Sequence, residues 1–413
     1  MNKPIKLTLK VFIVAAVVLL VLSILSAYWV ATNLTFARIP VSDVQQTLGS
    51  QTVLARVSAI TDAGQITLGD HTQNYQTLDI EILQGKSKGL HFSMDYGKVQ
   101  LRSDDFNFKV GDRIYVTQGT APDGTVRVYY ADFDRSKALI ILALVFLLSI
   151  LVMGRWKGLG SLVSLGISMF MIISYIIPHI LAGDDPVRVS IIGSVILMAV
   201  TLYLTYGWNL KTHSSVLSMG LSLLLTGGLA ALFVTFSRLN GYGDENALYL
   251  IQLSSVQINP QGLLLGGIII GTLGVLDDLV TSQSAAVVEI HNANPNLNFF
   301  ETFKRAINIG QDHVAATVNT LVLSYTGASL PLLLVFTLGN GGYQYLFNSE
   351  ILAEEIVRTL VGSIGLVAAV PISTLIATLI IVNQHRLDRL GEWRVLLGAG
   401  TESEGGEEWH HHH

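Results

Sequence analysis

Cysteine is absent from all 413 residues, which excludes disulfides, thiolate metal sites and cysteine nucleophiles and leaves the redox compartment open. Charge is scarce too: 13% of residues are Asp, Glu, Lys or Arg, against about 25% in an ordinary soluble domain. The formal charge of −5 is small and no basic cluster exceeds a few residues, so nucleic acid is not an expected partner. What fills the chain is apolar. Half of the residues are hydrophobic and the mean hydropathy is +0.52, the composition of an integral membrane protein whose first partner is the lipid bilayer.

The run Val11–Val30 follows Lys3, Lys6 and Lys10 and is long enough to cross a hydrocarbon core of about 30 Å. Its apolar part exceeds that of a usual signal peptide and further spans follow, so it reads as an uncleaved anchor within residues 1–38. Residues 39–135 then alternate in short stretches, among them Val53–Ile60, Gln65–Leu68, Gln76–Leu83, Val99–Arg102, Arg113–Gln118 and Thr125–Tyr130. Turn signals at Asp62–Gly64, Gly69–Asp70, Val110–Asp112 and Pro122–Gly124 separate them, the pattern of a small all-β domain. We expect a five- or six-stranded, OB-like barrel, either a binding module or a structural cap.

Seven further apolar spans fill residues 136–385: Ala138–Met153, Leu159–Leu181, Val187–Tyr206, Val216–Ser237, Leu263–Ile290, Val314–Leu338 and Thr359–Val382. With the first, about eight transmembrane helices put both termini on one side. Most short-loop basic residues fall on that side, including Arg155, Lys157, Lys211, Lys304, Arg305 and Arg386, which places the termini in the cytoplasm and the β-domain outside. The 386–413 tail is cytoplasmic in this reading, and its Trp409–His413 end resembles a partial affinity tag. Two connections stand out. Gly241–Gln261 reads either as a short interfacial or re-entrant helix or as an ordinary loop, and Phe299–Ile309 as a helix lying against the membrane face.

Asp277 and Asp278 sit side by side deep in Leu263–Ile290, where a single carboxylate costs roughly 2.5–3.5 kcal/mol on insertion scales. Neighbouring carboxylates in a low-dielectric site cannot both ionise easily, which suits the pair to hold and release a proton. On a helix Asp278 shares a face with Gly267, Gly271, Gly274 and Ser282, while Asp277 is followed by Thr281. The glycines form a small-residue face, so the carboxylates are expected to point into a helix–helix seam. The next span offers Asp312 and Asn319 on one side: Asp312 either joins the site or marks the cytoplasmic helix end, and Asn319 needs hydrogen-bond partners in hydrocarbon. Pro371 in the last span is an ordinary kink or a hinge. No cofactor or resident metal is expected, only a coupling proton or monovalent cation.

The stretch Gly271–Ile290, GTLGVLDDLVTSQSAAVVEI, with Phe303–Ile307, FKRAI, and Asp312–Pro331, DHVAATVNTLVLSYTGASLP, resembles the YibE/F-like family of multi-pass membrane proteins, and that likeness extends over most of the chain. The segment 263–338 also resembles, more distantly, the SecD half of the SecD/SecF export motor and hence the resistance-nodulation-division superfamily. That likeness rests on a glycine-rich helix with an intramembrane aspartate, a basic amphipathic helix and a D-A-N-like helix ending near G-T-G-P. Departures are plain: about seven spans follow the external domain where a SecD-like half has five, the β-domain is smaller, and Val314 stands where the Asn of D-A-N belongs. The resemblance implies a bacterial cytoplasmic-membrane protein with an ion-responsive aspartate; it implies no cargo.

Three function classes follow. The first is an ion-gradient-coupled transporter or export-assisting motor driven through Asp277 and Asp278. The second is a membrane receptor or assembly scaffold that recognises partners through its β-domain. The third is an intramembrane aspartyl protease using Asp278 with Asp312, which the absence of a Gly-x-Gly-Asp context weakens. The sequence leaves open a transported substrate, a membrane partner and a homo-oligomer.

Overall fold

The computed structural model describes residues 51–383, except 69–70, 86, 99–106, 121–125, 254–255 and 339–342. Val11–Val30, the 386–413 tail, Val99–Arg102 and the Pro122–Gly124 turn lie outside the described residues. The chain divides into two compact units, residues 40–153 and the remainder.

The first unit is built on a five-stranded antiparallel sheet: β1 Gln51–Leu68, β2 His71–Ile82, β3 His91–Tyr96, β4 Arg113–Thr120 and β5 Val126–Phe133, in the order β3-β2-β1-β4-β5. The turn expected at Asp62–Gly64 does not form. β1 runs through it because β2 supplies a continuous partner down to the pair Leu68 and His71, and irregularities near Ser58 and Thr61 bend the strand instead. Inward residues alternate as the pleat requires: Leu78, Ile80 and Ile82 of β2 are fully buried against Val57, Ile114 and Met94. Each such side chain contributes on the order of 1.5–3 kcal/mol of apolar burial. Phe108, Tyr96, Tyr130 and Phe133 form an aromatic group, with the rings of Tyr96, on β3, and Tyr130, on β5, 5.3 Å apart. The buried Gln76 amide donates to the Phe108 carbonyl at 3.2 Å and accepts from its N–H at 2.7 Å, tying the loop before β4 to β2.

Helices follow: α1 Ser136–Met171, kinked at Arg155 (φ 46°), then a π turn Ile172–Ile176 and α2 Ile177–Leu181. After these come α3 Pro186–Tyr206, α4 Leu210–Phe236, α5 Glu245–Leu253, α6 Pro260–Ala293, α7 Phe299–Ala328, α8 Leu330–Leu338, α9 Tyr343–Asn348 and α10 Glu350–Val382. Among the described residues six helices are long and apolar enough to cross a membrane, which makes this a multi-pass membrane protein: Ser136–Arg155, Gly158–Leu181, Pro186–Tyr206, Leu210–Phe236, Pro260–Ala293 and Glu350–Val382.

Caps set several starts. Asp185 and Asn259, each followed by proline, accept the N–H of Arg188 and Gly262; Asn209 accepts that of Thr212; Asn298 and Glu301 form a reciprocal capping box. The 241–261 connection contains α5. The segment expected as the span Val314–Leu338 is divided at Ser329, and Phe299–Ile309 continues into it as the single helix α7. Thr302, Ala306 and Gly310 are buried, so α7 packs into the bundle from its first turns. Small side chains there permit the close approach that a membrane-surface helix would not need.

α4, α6, α7 and α10 pack together, with α3 against α6, in three layers. Leu210, Val287, Ala306 and Ile381 close one end; Val234, Leu264 and Val361 close the other; Leu223, Leu276, Leu279, Leu366 and Val370 fill the middle. Along α4, Ser218, Ser222 and Thr226 are buried, and each hydroxyl donates to the carbonyl four residues back at 2.6–2.8 Å. Satisfied in this way, they present a thin face on which α10 packs. A Cβ on Gly365 would strike Thr226, and one on Gly362 would lie 3.6 Å from Thr272 Oγ1.

Candidate functional site

Asp277 and Asp278 occupy the middle layer, on α6 between Leu276 and Leu279, both of which are buried. They do different things. Asp277 is half-buried, and its Oδ1 is enclosed with no hydrogen-bond partner among the described residues, whereas Asp278 is exposed. The hydroxyls that the sequence assigns to the pair are turned to the backbone: Thr281 Oγ1 donates to the carbonyls of Asp277 at 2.8 Å and Asp278 at 3.1 Å, and Ser282 Oγ to that of Leu279 at 3.0 Å. A carboxyl oxygen so placed has lost water without gaining a donor, which makes a bare charge there costly.

The expected helix seam is not where the spacing puts it. Gly267, Gly271, Gly274 and Asp278 do share one face of α6, but that face is exposed. A Cβ added to Gly267 or Gly274 would meet nothing within 4 Å, and one on Gly271 would lie 3.7 Å from the Tyr325 hydroxyl of α7. The seam uses the neighbouring face, where Gly266 lies under Ser190 of α3 and Leu273, Leu276 and Val280 meet the core. Helical spacing tells which residues share a face and leaves open which face is covered. Asp312 and Asn319 share a face as expected, but it is the exposed face of α7, and the structure does not bring them to Asp277. Pro371 sits inside α10 with an exposed ring, beside Ser373 and Thr374, whose hydroxyls donate to the Val370 carbonyl at 3.1 and 2.7 Å.

Gln283 is the residue that spacing arguments pass over. It is buried one and a half turns beyond Asp278, and its Nε2 donates to the Ala306 carbonyl of α7 at 2.8 Å and to Thr374 Oγ1 of α10 at 2.7 Å. One amide thus joins three helices. Gly310 makes room for it, since a Cβ there would strike Val370 and lie 2.8 Å from Gln283 Oε1. A lone amide in an apolar run was the available signal, because such a group needs partners in hydrocarbon as much as Asn319 does.

Two cavities flank the bundle. One, of about 270 Å³, is a purely apolar groove lined by Val187, Ile191, Leu223, Gly227 and Ile269. The other, of about 260 Å³, lies between α7, α8 and α10 and includes Tyr325, Thr326, Ser329, Glu355 and Thr359. Among the described residues no group of three or more His, Asp or Glu side chains is arranged to hold a metal ion.

The family model for YibE/F-like protein matches residues 142–383, more than half of the chain and all of the helical bundle from α3 onward. The chain belongs to the YibE/F-like protein family. No curated protein and no solved structure matches it. Within this YibE/F-like protein the matched span contains Asp277, Asp278, Gln283 and Pro371 and leaves the five-stranded sheet outside.

Proposed function

We propose that this YibE/F-like protein is an ion-gradient-coupled transporter or export-assisting motor in which Asp277 is the group that takes up and releases the coupling proton. One observation carries the reading: Asp277 places an enclosed carboxyl oxygen without a hydrogen-bond partner in the middle layer of a membrane bundle. Intramembrane carboxyls are rare, and they mark ion pathways and proton relays. Losing the proton would put a charge in that layer. The bundle would relieve it by admitting water or a cation or by shifting α6, a two-state element that a gradient can bias. Gln283 and Thr374 supply a route for such a shift, because movement of α6 pulls on α7 and on α10 beside Pro371.

Finer parts of the reading rest on the same footing. Eight spans with cytoplasmic termini follow from counting Val11–Val30 and the α7–α8 segment as crossings and from the distribution of basic residues. The order β3-β2-β1-β4-β5, with Tyr96 and Tyr130 bringing the outer strands together, supports the OB-like reading of an extracytoplasmic domain. The SecD-like order of parts supports an export role, with the coupling proton replaceable by a monovalent cation. In the protease reading Asp278 and Asp312 would have to face each other across a cleft; both lie on exposed faces, and Asp277 turns inward.

The test is a reconstituted-liposome assay of pH- and sodium-dependent conformational change in the wild type and in Asp277→Asn and Asp278→Asn. Asp277→Asn should lock the protein in one state, while Asp278→Asn should leave a pH response. Equal responses in all three would remove the coupling reading. The scaffold reading would then take its place; Leu90, Val110 and Tyr129, exposed on the first unit, are its supporting observation.

A further inference from the structure

The apolar groove between α3, α4 and α6 is lined by neither Asp277 nor Gln283. α3 gives it Val187, Ile191 and Val195, which share one side of the helix, and α6 gives it Leu265 and Ile269. α4 makes the hollow. Gly220, Gly227 and Gly228 line it, a Cβ on Gly220 or Gly228 would meet nothing within 4 Å, and Leu224 beside them is exposed. From Gly220 to Ala231 the groove runs about 16 Å at 1.5 Å per residue, close to the hydrocarbon depth of one leaflet, half of about 30 Å. Its volume of about 270 Å³ falls below the roughly 300–1,000 Å³ that drug-sized ligands occupy. Length and lining suit one extended hydrocarbon chain.

One end of the groove is cationic. Arg188 follows Val187 on α3, and Arg238 stands just past the end of α4. The first turn of α6 holds these two ends together: Gln261 Nε2 donates to the Leu239 carbonyl at 2.9 Å, and a Cβ on Gly262 would lie 3.3 Å from Pro186. Both arginines are exposed, and neither guanidinium has a partner among the described residues. The nearby carboxylates are engaged elsewhere. Asp184 pairs with His179 at 2.7 Å, Asp185 accepts the Arg188 N–H at 2.9 Å, and Glu350 accepts the Asn240 N–H at 2.7 Å. Arg238 also occupies a left-handed turn (φ 53°) that closes α4, with the Leu239 N–H donating to the Val234 carbonyl at 2.9 Å and the Arg238 N–H to that of Thr235 at 3.1 Å. Glycine takes that position without strain, so the turn itself does not call for arginine.

We infer that the groove binds one acyl chain of an anionic phospholipid, whose phosphate lies at Arg188 and Arg238. Guanidinium suits phosphate, since its fork of N–H donors bonds two oxygens at once. The acyl chain fills the hollow that the α4 glycines leave, where no side chain of the bundle reaches. The span Gly158–Leu181 is not its occupant, because it packs on another side of α3: a Cβ on Gly193, two residues and so about 200° from Ile191, would strike Ile176. The run Val11–Val30 suits the arginines poorly, since residues 1–38 contain no Asp or Glu. A second copy across a two-fold axis would set these arginines against their own counterparts.

Native mass spectrometry of the full-length protein in detergent, titrated with phosphatidylglycerol or phosphatidylcholine, tests this. The wild type should retain one phosphatidylglycerol at concentrations where phosphatidylcholine is stripped. Arg188→Gln with Arg238→Gln should weaken that binding roughly 25-fold, about fivefold for each charge removed. Gly228→Leu fills the hollow where no atom stands in the way, so it should remove the bound lipid and leave thermal stability in lipid-free detergent unchanged. If that variant does not fold, the arginine pair still decides. Equal retention of the two lipids by the wild type, or undiminished phosphatidylglycerol binding by the arginine pair or by a folded Gly228→Leu, would overturn the inference. So would cross-links from Gly228→Cys, the chain having no other cysteine. A link at monomer mass to Val18→Cys would give the groove to the N-terminal run, and a link at twice that mass from Gly228→Cys alone would give it to a second copy.

Discussion

In the β-domain, polar and apolar residues alternate strand by strand, and large side chains such as Leu78, Ile80, Phe108 and Ile114 fill the interior. In the helical unit the contact surfaces of α4, α6 and α10 are narrow: Gly365 lies against Thr226 of α4, Gly362 near Thr272 of α6, and Gly266 under Ser190 of α3. The solvents explain the contrast. Water drives the β-domain to bury as much apolar area as its strands carry. Lipid tails give helices no such drive, so association comes from close backbone approach and from hydroxyls and amides that cannot be left facing hydrocarbon. Bulk is therefore tolerated differently in the two units, and each should fail under the opposite change.

Removing volume should hurt the β-domain most. Ile80→Ala takes a fully buried side chain from its centre and should cost about 2–5 kcal/mol. Residues 39–135 expressed alone, compared with and without the substitution by denaturant unfolding, would show it; equal midpoints would mean that this core is already loose. Adding volume should hurt the helical unit. Gly365→Leu drives a side chain into Thr226 and should cost about 1–3 kcal/mol by overpacking, read as lower thermal stability in detergent. Gly274→Leu, on the uncovered face of α6, should by contrast leave that stability unchanged.

Those two glycines show how much of the helical unit was legible in the sequence. Spacing grouped Gly267, Gly271, Gly274 and Asp278 on one face correctly. It then assigned that face to the intrachain seam, because small residues and a carboxyl look the same in the sequence whether or not another helix covers them. The β-domain was more legible, since period-two alternation names the inner face directly; the missed feature was β1 running through a turn signal that long-range pairing with β2 overrode. Gln283 and the Ser218–Ser222–Thr226 row were visible as letters, yet the meaning of Gln283 depends on Ala306 of α7 and Thr374 of α10, and that of the row on Gly365 of α10, partners far along the chain that no local rule reaches.

Gln283→Leu sharpens the comparison further. It leaves the shape of the side chain nearly intact while removing the donor that joins α6 to Ala306 and Thr374, so the cost should be about 1–3 kcal/mol for the groups left unsatisfied. If the amide transmits movement of α6, the variant should also lose pH-dependent conformational change out of proportion to its loss of stability. Gln283→Glu would separate the two roles, since it keeps the volume and changes the donor. A variant that keeps its full pH response at reduced stability would restrict Gln283 to packing.

The smallest expected effect lies in the β-domain and concerns acid. Asp95 is held below the usual carboxylate range by the Thr77 hydroxyl, which donates to it at 2.7 Å, and secondarily by Lys98, 3.3 Å away. Asp134 is lowered by the Ser136 hydroxyl and N–H, with Arg113 contributing charge, and Asp132 by the Arg135 guanidinium and the Phe133 N–H. A carboxyl whose folded value is depressed adds stability that is fully present above its unfolded value, about 3.9, and is lost as pH falls through the folded value. The isolated domain, extended to include Ser136, should therefore hold a constant melting temperature from about pH 7 to pH 5 and lose stability below about pH 4. Asp95 and Asp132 are about half exposed, so solvent screening keeps their share of the loss small. Thr77→Val removes the largest cause acting on Asp95 while keeping a β-branched residue on the strand, so its acid slope should be shallower than that of the wild type. Melting curves at matched ionic strength across that range decide it: identical slopes would mean that the Thr77 hydroxyl does nothing for the charged form, and that the acid sensitivity of this domain comes from Asp132 in β5 and Asp134 just before α1.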